Sequence, residues 1–483
     1  MTAATNALGR ELQLVHAAQW LYAINAEPFV PGEGDPYARL VRGFESGENG
    51  TDDAGGTLAS IAERGPVWRS RLDTWVVTGP AALRELSAGA EPAVSAAVPQ
   101  AEAWLPDPER QRTTGLARDL ARRGGTRAVG RLAGSLREQA GQAAARLGPG
   151  PVDLVADFAE PLTAAGYAAV LDVPEERRAA FDADLAAAAP AVDALLCPQT
   201  LDTTRRLAAG VRGLRELFAG RAHAEADLLL AVAGARAAAD LLGDALRRLL
   251  DRPREWALLR SDPAHAARLV EEVLHQRPPW RACPLVALAT AEVAGTRIEA
   301  GDSLTAITTA AAVPGGPSGI AGPTGTAAAD GASRTAGGTV PPGTAGISRT
   351  AGATVPAGAA GAAGAAGAAG AAGAAGAAGT GGVGTAETTN TGRVAGTGGA
   401  GEPGAVTVLG EATRTNGDPT PLPVAACATL LPAARALAEH ALVALAARFP
   451  LLRPDGEPVR TRRAPLTRRL VRLPARLGEE ETR

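Results

Sequence analysis

A chain of 483 residues that is 46% hydrophobic and 20% charged is long enough for a large buried core, and its net charge of -3 gives it no overall basic attraction for nucleic acid. All 48 basic residues are arginine, which excludes lysine-dependent chemistry such as a pyridoxal Schiff base or a Walker A phosphate loop. Its three cysteines, with no Cys-x-x-Cys pair and no Cys/His cluster, argue against a disulfide framework and a zinc site and fit a reducing compartment.

The first residues, Met1 to Arg10, are polar rather than a charged head followed by an apolar run, so no signal peptide is expected and the location is read as cytoplasmic. Leu8 to Phe29 then crowds large apolar side chains into a chain that is only 3% aromatic. The segment is either an N-terminal helix packed on the body or a partner contact, and Leu12, Trp20, Tyr22 and Phe29 are the candidate contact residues, since Trp and Tyr dominate interface energetics. Val67 to Val77 reads as strand. Helical periodicity dominates from Arg112 to Leu147 and from Pro174 to Leu250, with apolar residues three and four apart and arginines on the other faces. Within it, Asp240 and Asp244 beside Arg236 and Arg247 read as an ion-pair ladder. Alanine-rich text such as Leu228 to Ala239 is too short and too charged at its edges to span a membrane. Strand text returns in the hairpin Ala287 to Ile307.

After Val313 the character changes. Pro314 to Pro403 is nearly all Gly, Ala, Thr, Ser and Pro, and in Gly358 to Gly379 glycine recurs every third residue. Collagen would need Pro at the flanking positions, and each glycine inside a helix costs about 1 kcal/mol relative to alanine. With almost no bulky apolar side chain to offset the entropy of ordering, the segment is expected to be disordered. Three parts result: a scaffold over 1–313, a low-complexity insertion over 314–403, and the rest of the scaffold over 404–483. The last part carries a run of arginines, Arg460, Arg462, Arg463, Arg468, Arg469, Arg472 and Arg476, which reads as a solvated tail or as a surface for an acidic partner.

Several stretches together resemble a bacterial cytochrome P450. Leu228 to Leu250 is similar to that family's long central helix, Trp256 to Pro279 to the segment leading into its ExxR helix, and Ala287 to Asp302 to its small hairpin. Gly65 to Leu86 is similar to its first strand pair and short helix, Arg448-Phe449-Pro450 to the end of its last long helix, and Pro458 to Leu477 to its C-terminal strands. The resemblance implies a mainly α fold with small β-sheets, here interrupted by a disordered Gly/Ala-rich insertion.

Four positions decide whether the resemblance carries haem chemistry. Proton delivery to bound oxygen uses a carboxylate followed by a hydroxyl, groups that can exchange protons, whereas Ala233-Gly234-Ala235-Arg236-Ala237 offers Arg236 and Ala237. The ExxR motif reads Glu272-Val273-Leu274-His275, and histidine lacks the five-donor fork of arginine. The arginine that pairs with a haem propionate is replaced by Leu285. Around Cys427, the sole candidate thiolate, the Phe and Gly positions of the ligand loop read Thr420, Pro423 and Thr429, so the turn that aims backbone amides at the sulfur is lost. Cys427 is read as a small apolar residue opening a helix, with no catalytic, cofactor or metal-binding group elsewhere.

A narrower group is more similar still: the P450-like accessory proteins that activate deoxysugar glycosyltransferases in macrolide and anthracycline pathways. Leu8 to Leu14, Trp20 to Asn25 and Glu27-Pro28-Phe29 resemble its opening segment. Trp68 to Val77, the Pro-Gln element Leu195-Leu196-Cys197-Pro198-Gln199-Thr200-Leu201, and the Arg-rich Pro458 to Leu473 are similar to its later motifs. This resemblance implies a non-catalytic protein without haem, with a glycosyltransferase as partner and no nucleic acid or membrane. Two other readings stand beside it: a haem-thiolate monooxygenase of secondary metabolism, and a P450-like recruitment domain for carrier-bound peptides.

Overall fold

The computed structural model describes residues 3–27, 33–43, 54–89, 92–96, 104–108, 111, 115–308 and 425–478. The Gly/Ala-rich insertion, Phe29 and the side chains of Leu12 and Cys427 lie outside them. The chain divides into a scaffold unit, Met1–Ile320 with Arg414–Arg483, and a second unit, Ala321–Thr413, which lies wholly among the residues not described.

Helix α1 (Ala3–Ala26) leads into α2 (Pro36–Arg42), which starts and stops on recognisable chemistry. Asp35 accepts from the amides of Tyr37 and Ala38, Pro36 fills the first turn, and Gly43 closes the helix with φ of 69°. A Cβ on Gly43 would stand 2.7 Å from the Arg463 Cα, so glycine is required there by the C-terminal chain passing over it. Asp35 also accepts from the Arg71 amide at 2.8 Å, tying α2 to the turn between β1 (Val67–Arg69) and β2 (Trp75–Val77). Helix α3 (Ala54–Glu63) precedes this hairpin, and α4 (Pro80–Gly89) and β3 (Pro92–Val94) follow it.

The helical body comprises α5 (Leu116–Gly124), α6 (Thr126–Arg146), α7 (Glu160–Val170), α8 (Arg178–Ala188), α9 (Leu201–Phe218), α10 (Ala224–Leu229), α11 (Ala235–Asp251), α12 (Pro253–Ser261) and α13 (His265–Gln276). A π-helical turn, Leu230–Gly234, joins α10 to α11. Small strands surround the body: β4 (Gly150–Asp153), β5 (Ala282–Ala287), the hairpin β6 (Ala291–Val293) and β7 (Thr296–Ile298), and β8 (Ser303–Ile307). Helix α14 (Ala425–Arg448) and the strands β9 (Leu451–Pro454), β10 (Val459–Arg460), β11 (Leu470–Arg472) and β12 (Pro474–Gly478) complete it. Strand order in the largest sheet is β1-β2-β8-β5-β3, with β2 and β8 parallel and the other neighbours antiparallel; β4-β12-β9 form a second sheet. The mainly α fold with small sheets is the one expected, but β3, β4 and most of β5 were unread in the sequence. Each is short, and each is paired across long stretches of chain, so local alternation is too brief to announce it.

The core sits where α11 and α14 pack together, with α6, α7 and α13 around them. Small residues let these helices approach closely: a Cβ on Gly166 would meet Leu437 at 2.8 Å. The segment Leu430–Arg448 of α14 is long and apolar enough to cross a membrane. Here it is a central helix of the scaffold, with Leu437, Ala441, Leu442 and Leu445 fully buried.

Candidate functional site

The sequence places the first of the four deciding positions on the central helix, and the fold explains its setting. The π-turn ends at Gly234, where a Cβ would lie 3.0 Å from the ring of the fully buried Tyr167, so glycine permits the close packing of α7 on α11. Two residues later, Arg236 is buried. Its guanidinium donates twice to Asp240, Nη2 to Oδ1 at 2.7 Å and Nε to Oδ2 at 3.0 Å, and more distantly to Glu160 Oε1 at 3.5 Å. Glu160 in turn accepts from Arg469 Nη2 at 2.9 Å. Burial drives the Asp240 carboxyl up to about 7 in spite of its bidentate partner, while Arg236 stays firmly protonated because Asp240 outweighs the burial that would lower it. An arginine so held has no proton to relay, and the next residue, Ala237, is a buried methyl.

The ion-pair ladder read along this helix is only partly present. Arg236 meets Asp240 and Arg247 meets Asp251, but Asp244 accepts from Arg460 Nη2 of the C-terminal tail at 2.7 Å. Partners from distant chain displaced the neighbour one turn away.

At the ExxR position, Glu272 takes a short ion pair from Arg248 at the end of α11, and Arg248 also donates to Glu255 at 2.8 and 2.9 Å and to Gln276 at 3.4 Å. The arginine that His275 cannot supply thus arrives from another helix. Sequence reasoning missed Arg248, since nothing in its local text distinguishes it from its neighbour Arg247. Leu285 lies in the middle of β5, fully buried, paired with Val94 on one side and Leu304 on the other. The backbone at Cys427 belongs to the first turn of α14. Cys197 and Cys283 are buried and not in a disulfide, and no cluster of three metal-ligating side chains occurs among the described residues. The side chains described at these positions do not fit a haem: the acid is an arginine already committed to Asp240, and the propionate partner is a leucine buried within a sheet.

The chain is 34% identical to TylM3 of Streptomyces fradiae over 325 residues, covering 63% of this chain and 72% of that protein. It is 32% identical to DesVIII of Streptomyces venezuelae over 315 residues, covering 63% and 73%. The chain belongs to the cytochrome P450-like glycosyltransferase auxiliary proteins. Among solved structures, epothilone B-bound cytochrome P450epoK superposes with a TM-score of 0.57 over 89% of this chain and 99% of that one at 16% identity, which shows the P450 fold of this auxiliary protein. No family model matches.

The expected partner-contact residues are divided by the fold of the auxiliary protein. Helix α1 turns Val15, Tyr22 and Ala26 inward, and the Tyr22 hydroxyl donates to the Leu196 carbonyl at 3.5 Å. Tyr22 is only 8% exposed, so its ring packs mainly against the scaffold. Trp20 is 66% exposed, and with Leu14, Leu21 and Ile24 it forms an outward apolar face, as the helical period of 3.6 requires of residues spaced this way. Leu12 and Phe29 fall outside what the structure describes. The arginine run, too, differs from a solvated tail. Arg460, Arg463 and Arg469 fold back onto Asp244, the Pro198 carbonyl and Glu160, leaving Arg462, Arg472 and Arg476 exposed.

Proposed function

We propose that this auxiliary protein binds the folded, active form of a nucleotide-deoxysugar glycosyltransferase of polyketide antibiotic biosynthesis, stabilises and activates it, and performs no oxygen chemistry of its own. The observation that carries the reading is the Arg236–Asp240 pair: the place on the central helix where an oxygen-activating protein needs an exchangeable proton holds a buried arginine in two short hydrogen bonds. Family membership supports the identity of the partner, and the outward face of α1 supplies a contact of suitable chemistry around Trp20. Binding only the active form stabilises it by RT ln(1 + [L]/Kd), about 2.7 kcal/mol at a hundredfold excess over Kd. If coupling is allosteric, sugar donor or acceptor must tighten the complex in return.

The reading is tested by the absorption spectrum of protein produced with ample haem. No Soret band and no carbon-monoxide shift are expected. A thiolate-type spectrum would restore the monooxygenase reading and make Cys427 its ligand.

A further inference from the structure

Two sequence motifs that play no part in the Arg236 site, the Pro-Gln element and the arginine-rich tail, converge on one cavity of about 480 Å³. Gln199 donates to the carbonyls of Cys197 and Arg463, each at 3.0 Å, and Arg463 donates back to the Pro198 carbonyl at 2.9 Å, so the two motifs brace each other. The Arg463 amide reaches across to the Gly43 carbonyl at 2.7 Å, and Arg463 holds φ of 61°, a conformation a non-glycine residue keeps only when its surroundings impose it.

Four guanidiniums line this cavity: Arg206 from α9, and Arg462, Arg463 and Arg469 from the tail. Three hydroxyls, Thr200, Thr203 and Thr461, add neutral polar groups, and Ala186, Ala187 and Pro190 make an apolar wall. Acidic neighbours do not cancel this charge. Asp193, on the cavity lining, already accepts from the amides of Leu466 and Thr467 and from the Thr467 hydroxyl at 2.8, 3.0 and 2.6 Å. Glu160 is shared between Arg236 and Arg469, and the exposed Asp202–Arg206 pair at 2.8 Å is of the kind worth less than about 1 kcal/mol, so Arg206 can turn to another anion. Arg462 is exposed with no acidic partner among the described residues.

We propose that this cavity is a binding site for a phosphate-bearing small molecule, with Arg206 and Arg462 clamping the phosphate oxygens and the alanine–proline wall covering the organic part. Planar guanidinium forks match phosphate oxygens two at a time, and a cavity of this volume suits a small ligand such as a nucleoside diphosphate. The inference does not depend on the glycosyltransferase reading.

The test is a titration of the intact protein with inorganic phosphate, pyrophosphate and UDP at constant ionic strength, read by calorimetry and by melting temperature. Pyrophosphate or UDP is expected to bind saturably and raise the melting temperature. Arg206→Gln with Arg462→Gln should weaken it about tenfold or more, the scale of one lost hydrogen bond to a charged group. Arg205→Gln, an exposed arginine of α9 that does not line the cavity, should leave binding unchanged and controls for general charge. Two outcomes overturn the proposal: no heat or melting shift beyond that of sodium chloride, or equal weakening by Arg205→Gln. A third also overturns it: no phosphate binding, but loss of glycosyltransferase co-purification in the double variant, which assigns the cavity to an acidic segment of that protein.

Discussion

The centre of α11 and the outer face of α1 place residues where ordinary folding rules do not put them, in opposite ways. Arg236 is a charge in the core, and Trp20 is a large aromatic in water. The buried charge is answered from within, by Asp240 and Glu160, whereas the exposed ring has no apolar cover among the described residues. A site answered internally serves the fold. An unanswered one is available to something else, and substitutions at the two places should therefore separate stability from partner binding.

The largest effect is expected at the centre. Arg236→Ala leaves Asp240 buried and uncompensated and should cost about 3–5 kcal/mol, seen as a large drop in denaturation midpoint. Replacing both partners, Arg236→Met with Asp240→Leu, should recover most of that loss and leave activation of the glycosyltransferase intact. If the double variant is stable yet no longer activates, the pair has a role beyond folding. Next comes Tyr22→Ala on the inner face of α1, where loss of a buried ring should cost about 3 kcal/mol and reduce partner binding only as far as it unfolds the helix. Trp20→Ala should instead change stability by less than about 0.5 kcal/mol while weakening glycosyltransferase binding by about 2 kcal/mol, roughly thirtyfold in Kd. A lowered melting temperature with binding retained would reverse the assignment of the two faces.

A pH series sharpens the comparison further. Asp240 is raised from its ordinary value to about 7 in the folded protein, so between these limits the folded state binds more protons than the unfolded state. Its contribution to stability is therefore present at low pH and is lost as pH rises towards 7. Asp240→Asn should flatten that part of the profile, and an unchanged profile would show that the carboxylate is ionised throughout. The smallest effect is expected from deleting Pro314 to Pro403 behind a short Gly/Ser linker. Its composition offers no core, so solubility, melting temperature and partner activation should all persist, and a soluble deletion variant that fails to activate would give the segment a function.

Much of this was legible in the sequence because the signals are local. Long apolar periodicity announced α6 and α11, and the replacement of acid and hydroxyl by Arg236 and Ala237 could be read from adjacent letters. What was not legible is the set of partners that distant chain supplies. Arg248 replaces the missing ExxR arginine from 24 positions away, and Arg460 takes Asp244 from 216 away. Tyr22 and Trp20 looked alike in a list of aromatic residues, and only the facing of α1 against the scaffold separates them. The arginine tail read as solvated because its acceptors, Glu160 and the Pro198 carbonyl, lie in other elements.

Sugar transfer by the purified glycosyltransferase, measured with and without haem-free preparations of this chain and with no reductant present, tests the central claim most directly. The account predicts that transfer rises on adding the chain and rises equally with the Arg236→Met, Asp240→Leu variant. A rise that required haem and reductant, or a product carrying a newly inserted oxygen, would contradict it.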